Sequence, residues 1–351
     1  MSKIKIGVVG LGGIATAVHL PGIQKSSAGE IAAICDISPE TLAAVGERYG
    51  VPEDRRFVDY RELIACPDIE AVDICTPNFL HKDAVMETIR YKKPFCVEKP
   101  LALNYTEAVQ MEAAAVKAGI RGMVCFSYRF KPAVRFARWI ISQGHIGDVL
   151  NVFVQYLKSS ALREGRRLEW RFVKKYAGSG VLGDLGSHMI DMTRFLLGDF
   201  IGVFARTGIA VKQRMQLDSD KMSPVEADDY CNFLAELKCG AAATFSISRC
   251  AISGENSMTY EIYGTKGAIA FDMNNPDILR VCVGDIDRMT RGMHTVNVPR
   301  AYYADQTEAF LDIVKGTGDG LSPLLADGVE CQKIIDTLLE TNDKGKWMLI
   351  K

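Results

Sequence analysis

Apolar and polar positions change rhythm about a third of the way along the chain. Up to Phe126, short and mostly apolar runs alternate with segments at helical spacing. The runs are Lys3 to Val9, Gly29 to Asp36, Ala71 to Thr76, Pro94 to Val97 and Gly122 to Phe126. The helical segments are Ile14 to Ile23, Pro39 to Tyr49 with Ser38 as its cap, Asp59 to Ala65, Leu80 to Tyr91, and Asn104 to Ala118 with Gly119 as its stop. Continuous apolar runs bounded by turn residues read as strands buried on both faces. Strands spaced by helices imply parallel pairing through right-handed crossovers.

Beyond Phe126 the helical segments thin out. Pro132 to Ser142 and Gly186 to Leu197 read as helices, with a strand at Val149 to Leu157 and a basic, irregular stretch from Lys158 to Lys175. Long strand-like runs follow at Ile201 to Ile209, Tyr230 to Leu237, Ala241 to Ile252, Ser257 to Tyr263, Gly267 to Phe271 and Leu279 to Val283. Turn chemistry at Gly264 to Gly267 and at Asn274-Asn275-Pro276 makes this sheet mainly antiparallel. Helices near Tyr303 to Val314 and Asp327 to Glu340 close the chain. The expected architecture is α/β: a dinucleotide-binding domain of Rossmann type over 1–126, then an α+β domain over 127–351 with a large open sheet. Strands such as Ala241 to Ile252 are apolar enough that an uncovered face would be a large patch. The second domain is therefore expected to oligomerise, as a homodimer or homotetramer.

The first turn carries the strongest chemical signal. Gly10-Leu11-Gly12-Gly13-Ile14-Ala15 is G-x-G-x-x-A, directly after a strand and directly before a helix. Gly10 allows the tight turn, Gly12 lets backbone approach a pyrophosphate, and Ala15 lets helix and strand pack closely. The helix N-terminus adds free N–H groups and a positive dipole end. About 20 residues on, the second strand ends in Asp36, where a carboxylate meets the adenine ribose hydroxyls. The following Ile37-Ser38-Pro39 supplies no arginine for a 2′-phosphate, so NAD is expected in preference to NADP.

A chain of 351 residues fits two domains. Its 42 basic and 43 acidic residues give a formal charge of -1, which argues against a nucleic-acid or membrane-surface binder. No apolar run reaches the length of a membrane span, and Met1-Ser2-Lys3 runs into the first strand without a leader. None of the 10 cysteines forms a C-x-x-C pair, so they read as small buried hydrophobes in a reducing cytoplasm.

Two constellations offer reaction chemistry. Glu98-Lys99-Pro100 follows a strand end, where open parallel sheets gather ligands. A lysine there can stabilise an alkoxide, with Glu98 holding the ammonium; a surface Glu-Lys pair is the plain alternative. In Gly183 to Asp191, Asp184 and His188 are four apart and share a helix face, with Asp191 three beyond His188. Imidazole suits a proton acceptor for an alcohol. A helix cap at Asp184 and a core histidine at His188 are the plain alternatives, and no metal site is expected from so thin a ligand set.

These motifs, in this order, resemble the Gfo/Idh/MocA oxidoreductase family over essentially the whole chain. The resemblance rests on Gly10 to Ala15, Asp36, Thr76-Pro77-Asn78 with His81, Glu98-Lys99-Pro100, Trp170-Arg171, and Gly178-Ser179-Gly180 leading to Asp184 and His188. It implies that Lys99 and His188 act on the reacting hydroxyl with Asp184 beside the substrate, and that the Lys99–Pro100 peptide is cis. It further implies cofactor contacts from Gly10, Gly12, Gly13, Ile14, Ala15, Asp36, Thr76, Pro77, Asn78, His81, Glu98, Lys99, Trp170 and Arg171. Ser179 departs mildly from the three glycines common in the family at that point.

The expected activity is NAD-dependent hydride transfer at a secondary hydroxyl of a sugar, cyclitol or glycoside. An NAD-dependent glycosidase of the same fold, accumulating no NADH, and a non-enzymatic sugar sensor are the competing readings. Tyr128 and Arg129 are further substrate candidates, although Tyr128 equally suits a packing role. Lys158, Arg163, Arg166, Arg167 and Arg171 read as a solvated basic loop sooner than as an anion pocket. His19 and His81 read as structural, and His145 and His294 lie in loops without visible partners.

Overall fold

The computed structural model describes residues 2–254, 256–290 and 292–351. Its contacts divide the chain into two compact units, Met1–Phe126 with Asp305–Glu330 and Ser127–Ala304 with Cys331–Lys351.

The first unit holds six strands: β1 Ile4–Val9, β2 Gly29–Cys35, β3 Arg56–Phe57, β4 Ala71–Ile74, β5 Phe95–Val97 and β6 Gly122–Val124. They pair in the order β3-β2-β1-β4-β5-β6, and every pair is parallel. This is the doubly wound order, which reverses between β1 and β4 and opens a crevice at the carboxyl ends of those strands. Helices α1 Leu20–Lys25, α2 Pro39–Tyr49, α3 Tyr60–Ala65, α4 His81–Arg90 and α5 Tyr105–Ala118 carry the crossovers. Ser38 caps α2 by accepting the Thr41 N–H, and Asn104 caps α5 by accepting that of Glu107. Gly119, at φ 67°, ends α5.

The sequence alone puts 305–330 with the second domain, yet this segment packs in the first unit. Its helix Gln306–Lys315 carries Leu311 into the apolar cluster of Ile6, Val8, Leu20, Ile23 and Ile34. Gly29 of β2 is tight there, since a Cβ would stand 3.2 Å from Leu311. The physical cause is a long-range hydrophobic contact, which no local pattern announces.

The second unit begins with α6 Pro132–Ser142 and β7 Val149–Leu157. Short helical turns follow, including α7 Lys174–Ala177, and then α8 Ser187–Leu197 and β8 Phe200–Gly208. The small ribbon of β9 Gln213–Met215 and β10 Met222–Pro224 precedes β11 Tyr230–Leu237, β12 Ala242–Ser248, β13 Ser257–Gly264, β14 Ala268–Asp272, β15 Ile278–Cys282 and β16 His294–Asn297. With β17 Met348–Leu349 they form a nine-stranded sheet in the order β16-β15-β14-β13-β7-β12-β11-β8-β17. All its pairings are antiparallel except β7 with β12. β12 is shorter than the apolar run suggests, because the chain leaves the ladder after Ser248 to bury Arg249 against Asp229.

One face of this sheet buries Val152, Val154, Tyr156, Phe233, Phe245, Ile247 and Tyr260. Tyr260 donates its hydroxyl to the Met189 carbonyl and so ties α8 to that face. On the opposite face Phe153, Leu234 and Tyr263 are exposed, and Phe153 and Tyr263 meet edge to face.

Candidate active site

In the first unit the glycine turn has the geometry its motif requires. Gly10 stands at φ 87°, and a Cβ on it would fall 2.8 Å from the Cys75 carbonyl oxygen. A Cβ on Gly12 or Gly13 would meet nothing within 4 Å, so backbone there is open to an approaching phosphate. The helix that follows starts without a capping side chain and opens with a π turn over Ala15–His19. Pro21, which has no N–H, stands just beyond this turn. Such π turns cluster at functional sites.

Asp36 stands at the end of β2, where its Oδ2 accepts the Leu11 N–H at 2.8 Å and its Oδ1 accepts that of Ser38 at 3.0 Å. A carboxylate offers about four acceptor sites, so each oxygen keeps capacity for a ribose hydroxyl. Thr76 has a buried hydroxyl with no hydrogen-bond partner among the described residues. Glycine turn, carboxylate and this hydroxyl together fit a dinucleotide.

His81 sits deeper than a ligand contact does. Its ring is fully buried, with Nδ1 2.9 Å from the Pro100 carbonyl and Nε2 2.9 Å from that of Thr76. Burial holds its pKa below the usual histidine value, so the ring is neutral and donates to one carbonyl only. It joins the loop after β4 to the loop after β5, and it bears on a cofactor through those loops. The Lys99–Pro100 peptide is cis. Glu98 is 8 % exposed and accepts the Lys99 N–H through Oε2 at 3.2 Å, while Lys99 itself is half-buried.

His19, read as structural in the sequence, lies in a buried ionic cluster. Its Nδ1 stands 2.8 and 3.0 Å from the two oxygens of Asp73 in β4, and its Nε2 stands 3.0 Å from Glu98 Oε1. Burial alone would lower the His19 pKa, but the Asp73 charge overrides it and holds the pKa well above the usual value. Asp73, despite burial, is held below the ordinary carboxylate range by the same pairing. Cys75 and Cys96 point their thiols at Asp73 Oδ1, at 3.5 and 3.1 Å. His19, Asp73 and Cys125 each bring one potential metal ligand within 4.8 Å of the others, but the His19 and Asp73 atoms already bond each other.

In the second unit Asp184 lies in another π turn, Leu182–Gly186, which runs into α8 with His188 on its first turn. Asp228 fixes the entrance: its two carboxylate oxygens accept the N–H groups of Gly180 and Leu182 at 2.7 and 3.0 Å. Gly180 has no substitute there, because a Cβ would fall 2.0 Å from the Asp228 carbonyl oxygen. The His188 ring packs on Tyr128, with centroids 4.4 Å apart. The hydroxyls of Tyr128 and Tyr156 stand 2.9 Å apart, and that of Tyr156 stands 3.1 Å from Asn256 Oδ1. Burial raises the pKa of both tyrosines, so both stay protonated and the chain of hydroxyls is intact at neutral pH.

Arg129 and Asp191 go elsewhere than the sequence reading placed them. They form a buried bidentate pair, Nε to Oδ2 at 2.8 Å and Nη2 to Oδ1 at 2.6 Å. Arg129 is thus engaged in the core beneath α8, and Asp191 serves it. In the basic stretch Arg163 and Arg171 are exposed, while Lys158, Arg166 and Arg167 are half-buried. Arg166 makes a fork with Glu169, and Arg167 donates to the Gln216 and Ser219 carbonyls. Arg171 stacks on Trp170 at 4.3 Å, both on the second unit. Asp73, Tyr156, Asp228 and Asn256 were missed. Asp73 carried one signal, a lone acid inside an otherwise apolar parallel strand.

The description "Oxidoreductase family, NAD-binding Rossmann fold" matches residues 4–126, and "GFO/IDH/MocA C-terminal domain" matches 134–270. The chain belongs to the Gfo/Idh/MocA oxidoreductase family and is an NAD-binding oxidoreductase. It is 32 % identical to levoglucosan dehydrogenase of Pseudarthrobacter phenanthrenivorans, over 90 % of this chain and 88 % of that one. It is 26 % identical to glucose-6-phosphate 3-dehydrogenase of Bacillus subtilis, over 99 % and 98 % of the two chains. Among solved structures, levoglucosan dehydrogenase in complex with NADH and levoglucosan superposes with a TM-score of 0.90 at 31 % identity, covering 99 % of this chain and 100 % of that one.

Proposed function

We propose that the protein transfers hydride between NAD and a secondary hydroxyl of a neutral sugar or cyclitol. The observation that carries this reading is Lys99, half-buried just past the carboxyl end of β5 in the unit that bears the glycine turn and Asp36. Bound NAD supplies the hydride acceptor at C4 of its nicotinamide. In the oxidative direction His188 takes the hydroxyl proton and the Lys99 ammonium stabilises the developing alkoxide. Asp184 accepts a hydrogen bond from a neighbouring substrate hydroxyl, and packing against Tyr128 holds the His188 ring in its plane.

The substrate class draws support from relatives named for levoglucosan and inositol. Charge favours a neutral substrate over a phosphorylated one, since Arg166 and Arg167 are spent on protein carboxylates and carbonyls. The outer sheet face with Phe153, Leu234 and Tyr263 supports a homodimer or homotetramer. Unbridged cysteines, with Cys239 exposed and most of the others buried, suit the cytoplasm. No helix among the described residues is long and apolar enough to cross a membrane.

The test is a panel of levoglucosan, myo-inositol, D-apiose and glucose 6-phosphate with NAD, followed at the NADH absorbance. NADH formation with a neutral polyol, lost in Lys99→Ala and in His188→Ala, is the expected result. An aryl glycoside assayed beside the panel completes the test, and release of its aglycone without NADH accumulation would overturn the reading.

A further inference from the structure

The cluster of His19, Asp73 and Glu98 spans three elements of the first unit, and neither His19 nor Asp73 has a part in the reaction as proposed. His19 closes the π turn of the helix that starts at the glycine motif, Asp73 is in β4, and Glu98 follows β5. We infer that His19, held as an imidazolium between Asp73 and Glu98, is a positioning residue that fixes Glu98 and the adjoining Lys99 relative to the phosphate-binding turn; the inference rests on the reading of Lys99 above.

The proton count follows from the partners. Both ring nitrogens face carboxylate oxygens, which only accept. Both nitrogens must therefore carry protons for both contacts to be hydrogen bonds. His81 gives the internal contrast: its partners are carbonyls, and it stays neutral. Besides the neutral His81, which lies near Glu98, the titratable groups facing the cluster are thiols. Burial pushes Cys75 and Cys96 well above the usual thiol range, and Cys125 is raised as well, its hydrogen bond with Cys96 lowering it less than its surroundings raise it. They remain protonated, and Cys75 and Cys96 donate to Asp73. Glu98 Oε1 is thus taken by His19, and Oε2 is left to the Lys99 N–H and to the side on which ligands gather.

The sign of the pH dependence is fixed by this arrangement. A histidine whose folded pKa is raised holds its contacts below that pKa and loses them as pH rises through it. Removing the Asp73 charge takes away the strongest influence that raises the His19 pKa, so the ring loses its proton at lower pH than in the native protein.

The test uses full-length protein. Ring 15N–1H correlations of the 5 histidines, followed from about pH 6 to about pH 9 and assigned with His19→Gln, read the charge without any substrate. His19 is expected to be doubly protonated at pH 7 in the native protein and neutral in Asp73→Asn. Asp73→Asn is expected to bind NAD within a few-fold of native, to turn over an accepted polyol about 10²-fold more slowly at pH 7, and to recover as pH falls. Glu98→Gln, which keeps the shape and the His19–Asp73 pair, should slow turnover while His19 stays protonated.

A neutral His19 in the native protein, or an Asp73→Asn variant with the native pH profile, would overturn the inference. So would failure of both variants to fold, which would make the cluster an element of stability only. Lys99→Ala runs alongside. Normal turnover there overturns the reading of Lys99, whereas a slow Lys99→Ala beside a native-like Asp73→Asn overturns the present inference alone.

Discussion

The two units solve the same problem differently. Each bears candidate chemistry on a π turn that feeds a helix, Ala15–His19 in the first and Leu182–Gly186 in the second. In the first, the candidate site rests on backbone: Gly10 holds a positive φ, and Gly12 and Gly13 leave the helix start bare. In the second it rests on side chains that hold one another, His188 on Tyr128, Tyr128 to Tyr156, and Asp228 to the Gly180 loop. A backbone site has few sequence solutions, because only glycine fits; a side-chain network has many.

The largest expected effect falls on both units at once. His188→Ala and Lys99→Ala should each lower turnover by about 10²–10⁴ and leave NAD affinity within a few-fold, read as turnover beside a fluorescence titration of the same samples. Lost NAD affinity in His188→Ala would break the comparison, for it would put a cofactor contact where a proton acceptor is expected.

Stability should separate the units next. Arg129→Met removes the bidentate partner of Asp191 in the core beneath α8 and should destabilise the second unit by about 3–5 kcal/mol. Two-step melting, with only the later or earlier step shifted, would sharpen the distinction; an unshifted melt would show that the pair adds nothing.

A smaller effect concerns cofactor choice. Asp36→Ala removes the acceptor at the end of β2 and should narrow the preference for NAD over NADP, measured by titrating both cofactors. NADP binding as tight as NAD in the native protein would refute the role of Asp36. Smallest in activity is Leu234→Asp on the outer sheet face, expected to shift light scattering towards monomer at micromolar protein and to leave the fold intact.

The sequence announced what backbone geometry demands and little else. Helices with polar caps were legible to within a residue or two, as at Pro39–Tyr49 and Tyr105–Ala118, because Ser38, Asn104 and Gly119 act locally. The glycine turn and Asp36 were legible for the same reason. Arg129 misled because an arginine beside a candidate site looks available until its partner, 62 positions along, is seen. The partner of His19 is 54 positions away in β4, and no spacing rule connects a helix to a strand that far on. The short strands β9, β10 and β17 carry too few residues to show a period.

The return of 305–330 to the first unit bears on how the chain matures as it is synthesised. Leu311 belongs to the cluster that seals β1, β2 and the first helix, and the backbone N–H of Val124 in β6 donates to the Pro323 carbonyl. A nascent chain ending at Phe126 would have every strand of the nucleotide fold and an open seam along it. The nucleotide fold is thus completed only after the whole intervening sheet domain, up to 304, has been made and 305–330 has left the ribosome.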